Sequence, residues 1–439
     1  MKRGERITVP WGAGDTLTLD LPDEWNLIGV LEPKPLPPAD DPDAAVRQAL
    51  AFPIGTKALR DLALGARRVA VLIDDLSRPT PAGLLLPHVV AELDAAGVPR
   101  DGITLVTTLG THRPMTPEDL AKKAGPEWAG RLAWENHDYA CAERNVFLGT
   151  TSRGTPVYIN ATVAAADVVV SLGVIEPHVI AGFGGGYKNL IPGVAGAQTI
   201  AATHTLNLTP ATFNMTGRPP EENPMRLDLE EGGALLRKPF FIVNTVLDQA
   251  LSVVRVVAGH PVEAHREGAK TAAEMYGAKV PRLADVIIAS SYPMDIDLRQ
   301  GLKALANNIR AVRAGGLLIT LVRAREGVGH MGTPAKGPLS SRGILKLLAP
   351  PLLWALPRKR STAQGEEFKF FTYFGLQALR RNHLLIYAPT VPKEFAAGVP
   401  FAEFSWTLDG MWSLARKRVR GPASVLVVPA GGVTYPIVP

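Results

Sequence analysis

Short runs of β-branched and aliphatic residues alternate with longer amphipathic stretches along almost the whole chain. Residues 69–73 form one such run and precede a helical pattern over 79–96, and residues 103–106 precede another over 116–124. Because two parallel strands need a long crossover, usually a helix, this alternation predicts βαβ units and an α/β fold. Further strands are predicted at 167–172, 240–246, 285–289, 316–321, 384–387 and 425–428.

The length predicts two domains, because 439 residues is roughly two to three times the usual domain length. A helical pattern over 261–276 ends in helix-stopping residues before a new strand. We therefore predict an N-terminal α/β domain over 1–277 and a C-terminal α/β domain over 278–439. Each is expected to be a mainly parallel sheet flanked by helices, with the active site in the cleft between them. The proline-containing segment 348–364 is interpreted as a loop or lid flank within the second domain rather than as a linker.

Charge and cysteine content exclude several function classes. The formal charge is +6 and the pI is about 9.3, but the cations are scattered and lack interleaved aromatic residues, so we expect no nucleic-acid partner. The basic runs 358–360 and 416–418 are expected to be solvated surface. Cys141 is the single cysteine, which excludes an intrachain disulfide and a cysteine-built metal cluster. No apolar run is long enough for a signal core or a membrane span, so a cytoplasmic protein is expected.

Candidate functional residues follow the first two predicted strands. Open α/β sheets bind ligands where their strands end. Asp75 and Arg78, in the proline-rich loop 74–81, are candidates to supply a carboxylate acceptor and a guanidinium for a substrate carboxylate. An N-capping aspartate with a surface arginine is the alternative. His112, which lies between glycine and proline after the next strand, is a candidate for proton transfer, with an ordinary loop histidine as the alternative.

The segment 173–189 carries the richest motif. Glu176-Pro177-His178 is followed by a glycine-rich loop that closes on Lys188, and its glycines are Gly182, Gly184, Gly185 and Gly186. Backbone N–H groups freed by glycines can contact a phosphate, so a nucleotide is the expected ligand and a merely flexible loop is the alternative. The segment matches neither the Walker pattern, because Tyr187 and Asn189 flank the lysine, nor the dinucleotide fingerprint.

A third histidine, His204, follows this segment along the chain. Its spacings from His178 and from Lys188 fit no simple zinc pattern, although imidazole binds nickel, zinc and copper alike.

The joint order of these motifs closely resembles the lactate racemase family, which carries a nickel-pincer nucleotide. The matching residues, in chain order, are Asp75, Arg78 with Pro79-Thr80-Pro81, Thr111-His112-Arg113, Glu176-Pro177-His178, Lys188, His204 and Gln300-x-x-Lys303. Asn223-Pro224 with Asp228 and Glu230 resembles a further segment of the family. The resemblance covers nearly the whole chain.

The resemblance implies how the cofactor is held. Lys188 would carry nickel pyridinium-3,5-bisthiocarboxylic acid mononucleotide through a thioamide link, and His204 would be the protein ligand to its nickel. Gly184, Gly185 and Gly186 would contact the cofactor, and Asp75 would lie beside the cofactor or an active-site base. Proteins that build the cofactor are then implied as partners.

The resemblance also implies a reaction, the inversion of the 2-carbon of a small anionic 2-hydroxy acid by proton-coupled hydride transfer. His112 and His178 would act as paired acid/base catalysts on opposite faces of the substrate. Arg78, Gln300 and Lys303 would hold its carboxylate and oxygen. The enzyme would be a racemase or an epimerase.

Two positions leave the substrate open. Arg299 stands where many family members are expected to have an aromatic residue, and this cation favours a second carboxylate or a polyhydroxylated acid unless it points to solvent. His330, in a loop over 326–330 that resembles an active-site loop, is either functional or a structural hydrogen-bonder.

Two other functions compete with this interpretation. One is a zinc-type lyase or hydrolase that uses His112, His178 and His204 as metal ligands and Lys188 as a base. The other is a non-enzymatic nucleotide-binding module, which would bind without turnover.

Overall fold

The computed structural model describes residues 5–12, 14–329, 341–359 and 363–438. Within this part of the chain there are two compact units. The N-terminal unit combines residues 35–273 with described residues of 360–368, and the C-terminal unit combines described residues of 1–34, 274–359 and 369–439.

The strands are given in chain order. The segment before the N-terminal unit holds β1 (Arg6–Pro10), β2 (Thr16–Asp20) and β3 (Trp25–Val30). The N-terminal unit holds β4 (Val69–Ile73), β5 (Ile103–Thr107), β6 (Ala133–Asn136), β7 (Asn145–Thr150), β8 (Pro156–Asn160), β9 (Val168–Val174), β10 (Pro177–His178), β11 (Gly182–Phe183), β12 (Phe240–Leu247) and β13 (Val253–Gly259). The remaining strands are β14 (Gly277–Lys279), β15 (Ala284–Ser290), β16 (Val312–Leu321), β17 (His383–Tyr387), β18 (Glu403–Ser405), β19 (Ala423–Val428) and β20 (Tyr435–Ile437).

The helices follow the same order. Those that begin within residues 35–273 are α1 (Pro42–Ala51), α2 (Leu59–Leu62), α3 (Ala82–Ala95), α4 (Pro117–Ala124), α5 (Pro126–Ala129), α6 (Ala161–Ala165), α7 (Ala197–Thr205), α8 (Pro224–Ala234) and α9 (Glu263–Tyr276). They are followed by α10 (Leu298–Asn308), α11 (Arg342–Ala355), α12 (Ala363–Arg381), α13 (Lys393–Ala397) and α14 (Leu408–Arg418).

The N-terminal unit is organised by a six-stranded sheet with the order β13-β12-β9-β4-β5-β6. Neighbouring strands are parallel except for β13, which runs antiparallel to β12. Every residue of β4 and β9 is buried, as their continuous aliphatic runs require. If the six strands of this sheet are numbered in chain order, their spatial order is that of a doubly wound sheet. The direction of winding reverses between β4 and β9.

The C-terminal unit has a six-stranded sheet with the order β18-β17-β16-β15-β19-β3. All its neighbouring strands are parallel. The β1–β2 hairpin packs on this unit, since Ile7, Val9 and Leu19 share a buried cluster with Val286 and Leu317. The predicted α/β class with mainly parallel sheets is therefore confirmed.

Two features differ from the sequence interpretation. The segment that holds β1 to β3 groups with the C-terminal unit rather than with the predicted domain 1–277, because β3 pairs with β19. The predicted loop or lid flank over 348–364 is wrong over 348–355, because α11 continues to Ala355, and over 363–364, because α12 begins at Ala363. Leu345, Ala349 and Leu353 form a buried stripe on α11 that holds the helix together through its two internal prolines. The predicted cleft between the domains stays a prediction.

No helix in the described part of the chain is both long and apolar enough to cross a lipid bilayer.

Candidate active site

Three loops with candidate residues leave the same edge of the N-terminal sheet. The loop after β4 holds Asp75 and Arg78. The loop after β5 holds His112, and the turn after β9 holds His178. Because β4 lies between β5 and β9 and all three are parallel, the ends of these strands meet where the winding reverses. Doubly wound sheets bind ligands in the crevice at this point.

His112 is held by Asp75. Its Nδ1 lies 2.5 Å from Asp75 Oδ2, while Asp75 Oδ1 accepts hydrogen bonds from the N–H and hydroxyl of Ser77 at 3.1 and 2.5 Å. Burial by itself would raise the pKa of Asp75, but hydrogen bonds from His112 and Ser77 and the charge of Arg78 outweigh it and hold that pKa well below its ordinary value. An ionised carboxylate only accepts hydrogen bonds. His112 Nδ1 therefore carries the ring proton, and in the neutral ring Nε2 keeps the lone pair.

A buried ion pair supports the loop after β4. Lys123 Nζ, on α4, lies 2.6 Å from Asp74 Oδ1, and the two side chains are 4% and 6% exposed. The same ammonium donates hydrogen bonds to the backbone carbonyls of Asp75 and Arg78 at 3.1 and 2.8 Å. Lys123 thus holds the backbone carbonyls of both candidate residues of this loop. Sequence reasoning missed it, and the available signal was a lysine on the buried face of an amphipathic helix.

Arg78 reaches the turn after β9. Its Nη1 lies 3.7 Å from Oε1 of Glu176, which is buried. Two residues later, His178 Nδ1 accepts hydrogen bonds from the backbone N–H groups of Ile180 and Ala181 at 3.2 and 3.1 Å. The structure thus brings the β4 loop to the segment that holds the second candidate histidine.

The glycine-rich loop is buried and bonded to its own surroundings. The N–H of Gly184 donates to the carbonyl of Glu176 at 2.8 Å, and the N–H of Gly186 donates to Asn244 Oδ1 at 2.8 Å. Gly185 has a φ of +73°, and a Cβ there would lie 2.6 Å from Asn244 Oδ1. Two of the N–H groups expected to face a phosphate are therefore used inside the protein, and positive φ with close packing explains the glycine at 185.

Buried side chains of α8 and α9 hold the carbonyls of this loop. Arg226, which is fully buried, donates to the carbonyls of Gly185, at 3.1 Å, and Phe183. His265 Nε2 donates to the carbonyl of Gly184 at 2.8 Å. Burial lowers the pKa of Arg226 to about 10. Burial and the charge of Arg226 lower the pKa of His265 well below its ordinary value, so His265 is neutral. Sequence reasoning missed both residues.

Lys188 lies in a single 3-10 turn, Gly186–Asn189, directly after this loop. Its carbonyl accepts a hydrogen bond from the N–H of Gly193 at 3.3 Å, and the carbonyl of Gly193 accepts one from the N–H of Gly110 at 2.9 Å. Backbone hydrogen bonds therefore connect the Lys188 turn to the loop that carries His112.

His204 lies in the last turn of α7. Its Nδ1 donates to the carbonyl of Ile200 at 2.8 Å, so in the neutral ring the lone pair is on Nε2, the form in which imidazole binds a metal. The start of α7 is anchored nearby, because His137 Nε2 donates to the carbonyl of Ala195 at 3.0 Å. Across the described ranges, no three His, Cys, Asp or Glu side chains form a group that could hold a metal ion.

The remaining candidates lie on α10 of the C-terminal unit. Asp297 caps this helix by accepting from the N–H of Gln300 at 2.7 Å. Gln300 Oε1 is buried and accepts no hydrogen bond from the described residues. Arg299 and Lys303 are partly buried beside it. His330 lies outside the described residues.

The sequence is similar to those of known racemases. Residues 12–214 match the family model described as the lactate racemase N-terminal domain. The lactate racemase of Thermoanaerobacterium thermosaccharolyticum is 32% identical over 330 residues, which is 74% of this chain and 76% of that protein. The lactate racemase of Lactiplantibacillus plantarum is 30% identical over 290 residues, 65% of this chain and 67% of that protein.

The fold is also similar to solved structures. The lactate racemase apoprotein from Thermoanaerobacterium thermosaccharolyticum superposes with a TM-score of 0.82 at 26% identity, over 98% of this chain and 100% of that one. A Thermotoga maritima protein has a TM-score of 0.63 at 16% identity, over 86% of this chain and 96% of that one, and shares the fold alone.

Proposed function

The chain belongs to the lactate racemase family of isomerases, and we propose that it inverts the 2-carbon of a small 2-hydroxy acid by hydride transfer to a nickel-pincer nucleotide tethered to Lys188. The proposal includes racemases and epimerases, which differ in whether the substrate has a second stereocentre.

The Asp75–His112 pair is the observation that carries this proposal. The 2.5 Å contact fixes the proton on one ring nitrogen and directs the lone pair of the other away from the carboxylate, where it can accept a proton. The pair lies where the winding of the sheet reverses, and Arg78 in the same loop provides a cation for an acidic substrate.

The cofactor residues fit the proposed group. Lys188 is presented by a buried, hydrogen-bonded loop rather than by a flexible one, which favours one fixed position for a covalent link. His204 offers a single imidazole in the metal-binding tautomer. A metal whose other ligands belong to the bound nucleotide needs no further protein side chain. We therefore propose that the phosphate of the cofactor is bound by groups other than the N–H groups of Gly184 and Gly186.

Hydride chemistry is proposed because of the acidity of the substrate. The hydrogen on C2 of a 2-hydroxy carboxylate is too weakly acidic to leave as a proton, since a dianion would result. When bound, the cofactor would supply the acceptor for the C2 hydrogen and its electron pair. The O–H electron pair becomes the second C–O bond of a 2-keto acid, and the hydroxyl proton passes to a histidine.

The residues of this chain are then proposed to have separate roles in proton transfer and in substrate binding. His112 and His178 are proposed to contact the hydroxyl from opposite faces of the substrate. Arg78, Gln300 and Lys303 are proposed to bind the carboxylate and oxygen, and the buried, unbonded Oε1 of Gln300 supports a ligand at that position. Arg299, next to Gln300, is proposed to favour an acid larger or more anionic than lactate.

The zinc-type lyase or hydrolase is not the function we propose. His178 accepts two backbone hydrogen bonds at Nδ1, so its neutral ring carries the proton on Nε2, and no triad of metal-binding side chains is found among the described residues.

Covalent loading at Lys188 tests the proposal. The protein is made together with the proteins that build the cofactor, and its intact mass and its turnover of D- and L-lactate and D- and L-malate are measured. We expect a nucleotide-sized mass gain in the wild type and none in Lys188→Ala or Lys188→Arg, because a guanidinium cannot form the thioamide. Lys270→Ala, an exposed lysine on α9, is the control and should load normally. A retained adduct in Lys188→Ala would falsify the attachment.

A further inference from the structure

His112 and His178 present different nitrogen chemistry to a substrate. Nδ1 of His112 lies 2.5 Å from the ionised Asp75, whereas Nδ1 of His178 accepts hydrogen bonds from two backbone N–H groups. A carboxylate only accepts and a backbone N–H only donates, so the ring proton is on Nδ1 in neutral His112 and on Nε2 in neutral His178. His112 therefore offers a lone pair at Nε2, and His178 offers an N–H.

We infer that the substrate-free enzyme is ready to react with one enantiomer, or hand, of its substrate. This is the hand whose 2-hydroxyl faces His112. This inference rests on the proposed function and deepens it. That hydroxyl meets a ready proton acceptor. The hydroxyl of the opposite hand faces His178 and meets a donor instead, so it keeps its proton until the ring proton of His178 has moved from Nε2 to Nδ1.

The surroundings of the two rings maintain this difference. When His112 takes a proton at Nε2, its Nδ1–H keeps the hydrogen bond to the carboxylate of Asp75. When His178 carries a proton on Nδ1, that proton points at the N–H groups of Ile180 and Ala181, and both hydrogen bonds are lost. Losing two ordinary hydrogen bonds corresponds to a first turnover slower by roughly 5- to 100-fold for the hand that faces His178.

The steady state hides part of this asymmetry. Two enantiomers have equal free energies, so the kcat/KM values of a racemase are equal for both hands. The difference is expected in the first turnover and in kcat and KM taken separately.

The tautomers can be measured without the cofactor. Cofactor-free protein labelled with ¹⁵N in its histidine rings gives distinct nitrogen signals for the two tautomers, and the loss of a signal in His112→Gln or His178→Gln assigns it. We expect the Nδ1–H form for His112 and the Nε2–H form for His178. The same tautomer at both positions overturns the inference.

Rapid mixing tests the functional consequence. Loaded enzyme is mixed with each hand of lactate or malate, whichever acid the wild type turns over, and the first turnover is followed by the change in cofactor absorbance. We expect one hand to react at least fivefold faster. Asp75→Asn removes the charge that prepares His112, so the two rates should converge. Equal first-turnover rates in the wild type contradict the inference.

A matched control is available in the same unit. Asp43 and His88 form a similar carboxylate–histidine pair at 2.7 Å on α1 and α3, so Asp43→Asn should keep the wild-type difference between hands. Failure of the proposed function looks different, because the wild type would then show neither cofactor mass nor turnover, while the ¹⁵N signals would still decide whether the two rings differ.

Discussion

At the scale of single residues, three imidazoles in the N-terminal unit take their chemistry from the group that contacts Nδ1. In His112 that group is a carboxylate, and in His178 it is a pair of backbone N–H groups. In His204 it is the carbonyl of Ile200, one helical turn earlier. Local contacts therefore leave a lone pair on Nε2 of neutral His112 and His204 and a proton on Nε2 of neutral His178.

His204→Ala is expected to lower nickel content while the organic part of the cofactor stays attached to Lys188, because the imidazole is the proposed protein ligand to the metal. Nickel is measured by elemental analysis, and the attached organic part by intact mass. His260→Ala, at a histidine three residues before α9 whose side chain is 41% exposed, should retain wild-type nickel. Unchanged nickel content and affinity in His204→Ala would exclude the role.

The sequence indicated which residues could take part in the chemistry, but not which ring nitrogen of each histidine carries the proton. His112 and His178 were identifiable because they follow predicted strands in loops rich in glycine and proline. Their tautomers depend on partners that the fold brings together, such as Asp75, which precedes His112 by 37 residues. Lys123 was missed for the same reason, since the carbonyls it contacts lie 48 and 45 residues earlier.

At the scale of elements, the glycine-rich loop is held by its neighbours rather than shaped by its own sequence. Arg226 from α8 and His265 from α9 donate to three consecutive carbonyls, and Asn244 from β12 accepts from the loop. All three side chains are fully buried. A buried polar group destabilises the folded state unless it has a hydrogen-bond partner, so the loop and these three side chains stabilise each other.

The buried, neutral His265 predicts that the folded protein loses stability in mild acid. His265 stays neutral in the folded protein but takes a proton in the unfolded chain below its ordinary pKa of 6.5. The unfolded state therefore binds more protons, and the stabilisation, complete above pH 6.5, is lost as the pH falls, by at most about 1.4 kcal/mol for each pH unit. His265→Gln keeps a side-chain N–H donor but does not titrate, so it should flatten this part of the profile. Melting temperatures from pH 7.5 to about 5 check this, and parallel profiles for both proteins would refute it.

Predictability from sequence also differed among elements. The buried strands β4 and β9 were predicted because their aliphatic runs are a local signal. The edge strand β6 has no buried residue and gave no such signal. In α11, Pro350 and Pro351 suggested a break, yet both are exposed, and the stripe of Leu345, Ala349 and Leu353 keeps the helix packed. Tertiary packing therefore outweighed the low helix propensity of proline.

At the scale of the whole molecule, the start of the chain completes the C-terminal unit. β3 is the edge strand beside β19, and Trp25 is 4% exposed and meets Trp412 edge-on with ring centroids 6.0 Å apart. A boundary drawn along the sequence could not reveal this, because the pairing joins a strand near the start of the sequence to a strand near its end.

Trp25→Ala is expected to destabilise the C-terminal unit by about 3–5 kcal/mol, because a large buried side chain is removed. Hydrogen exchange at the amides of β19 and β15 reports this unit separately from the other. Trp354→Ala, at a tryptophan that is 65% exposed on α11, is the control and should change stability by less than about 0.5 kcal/mol. Exchange that is unaffected by Trp25→Ala would show that β3 is dispensable for the unit.

The pairing of β3 with β19 also sets an order of events on the ribosome. Residues 25–30 are synthesised well before their partner strand, residues 423–428. Most of the N-terminal unit is one continuous stretch, residues 35–273, so this stretch can fold while later residues are still being made. β3 therefore has no partner strand in its sheet until β19 has been synthesised.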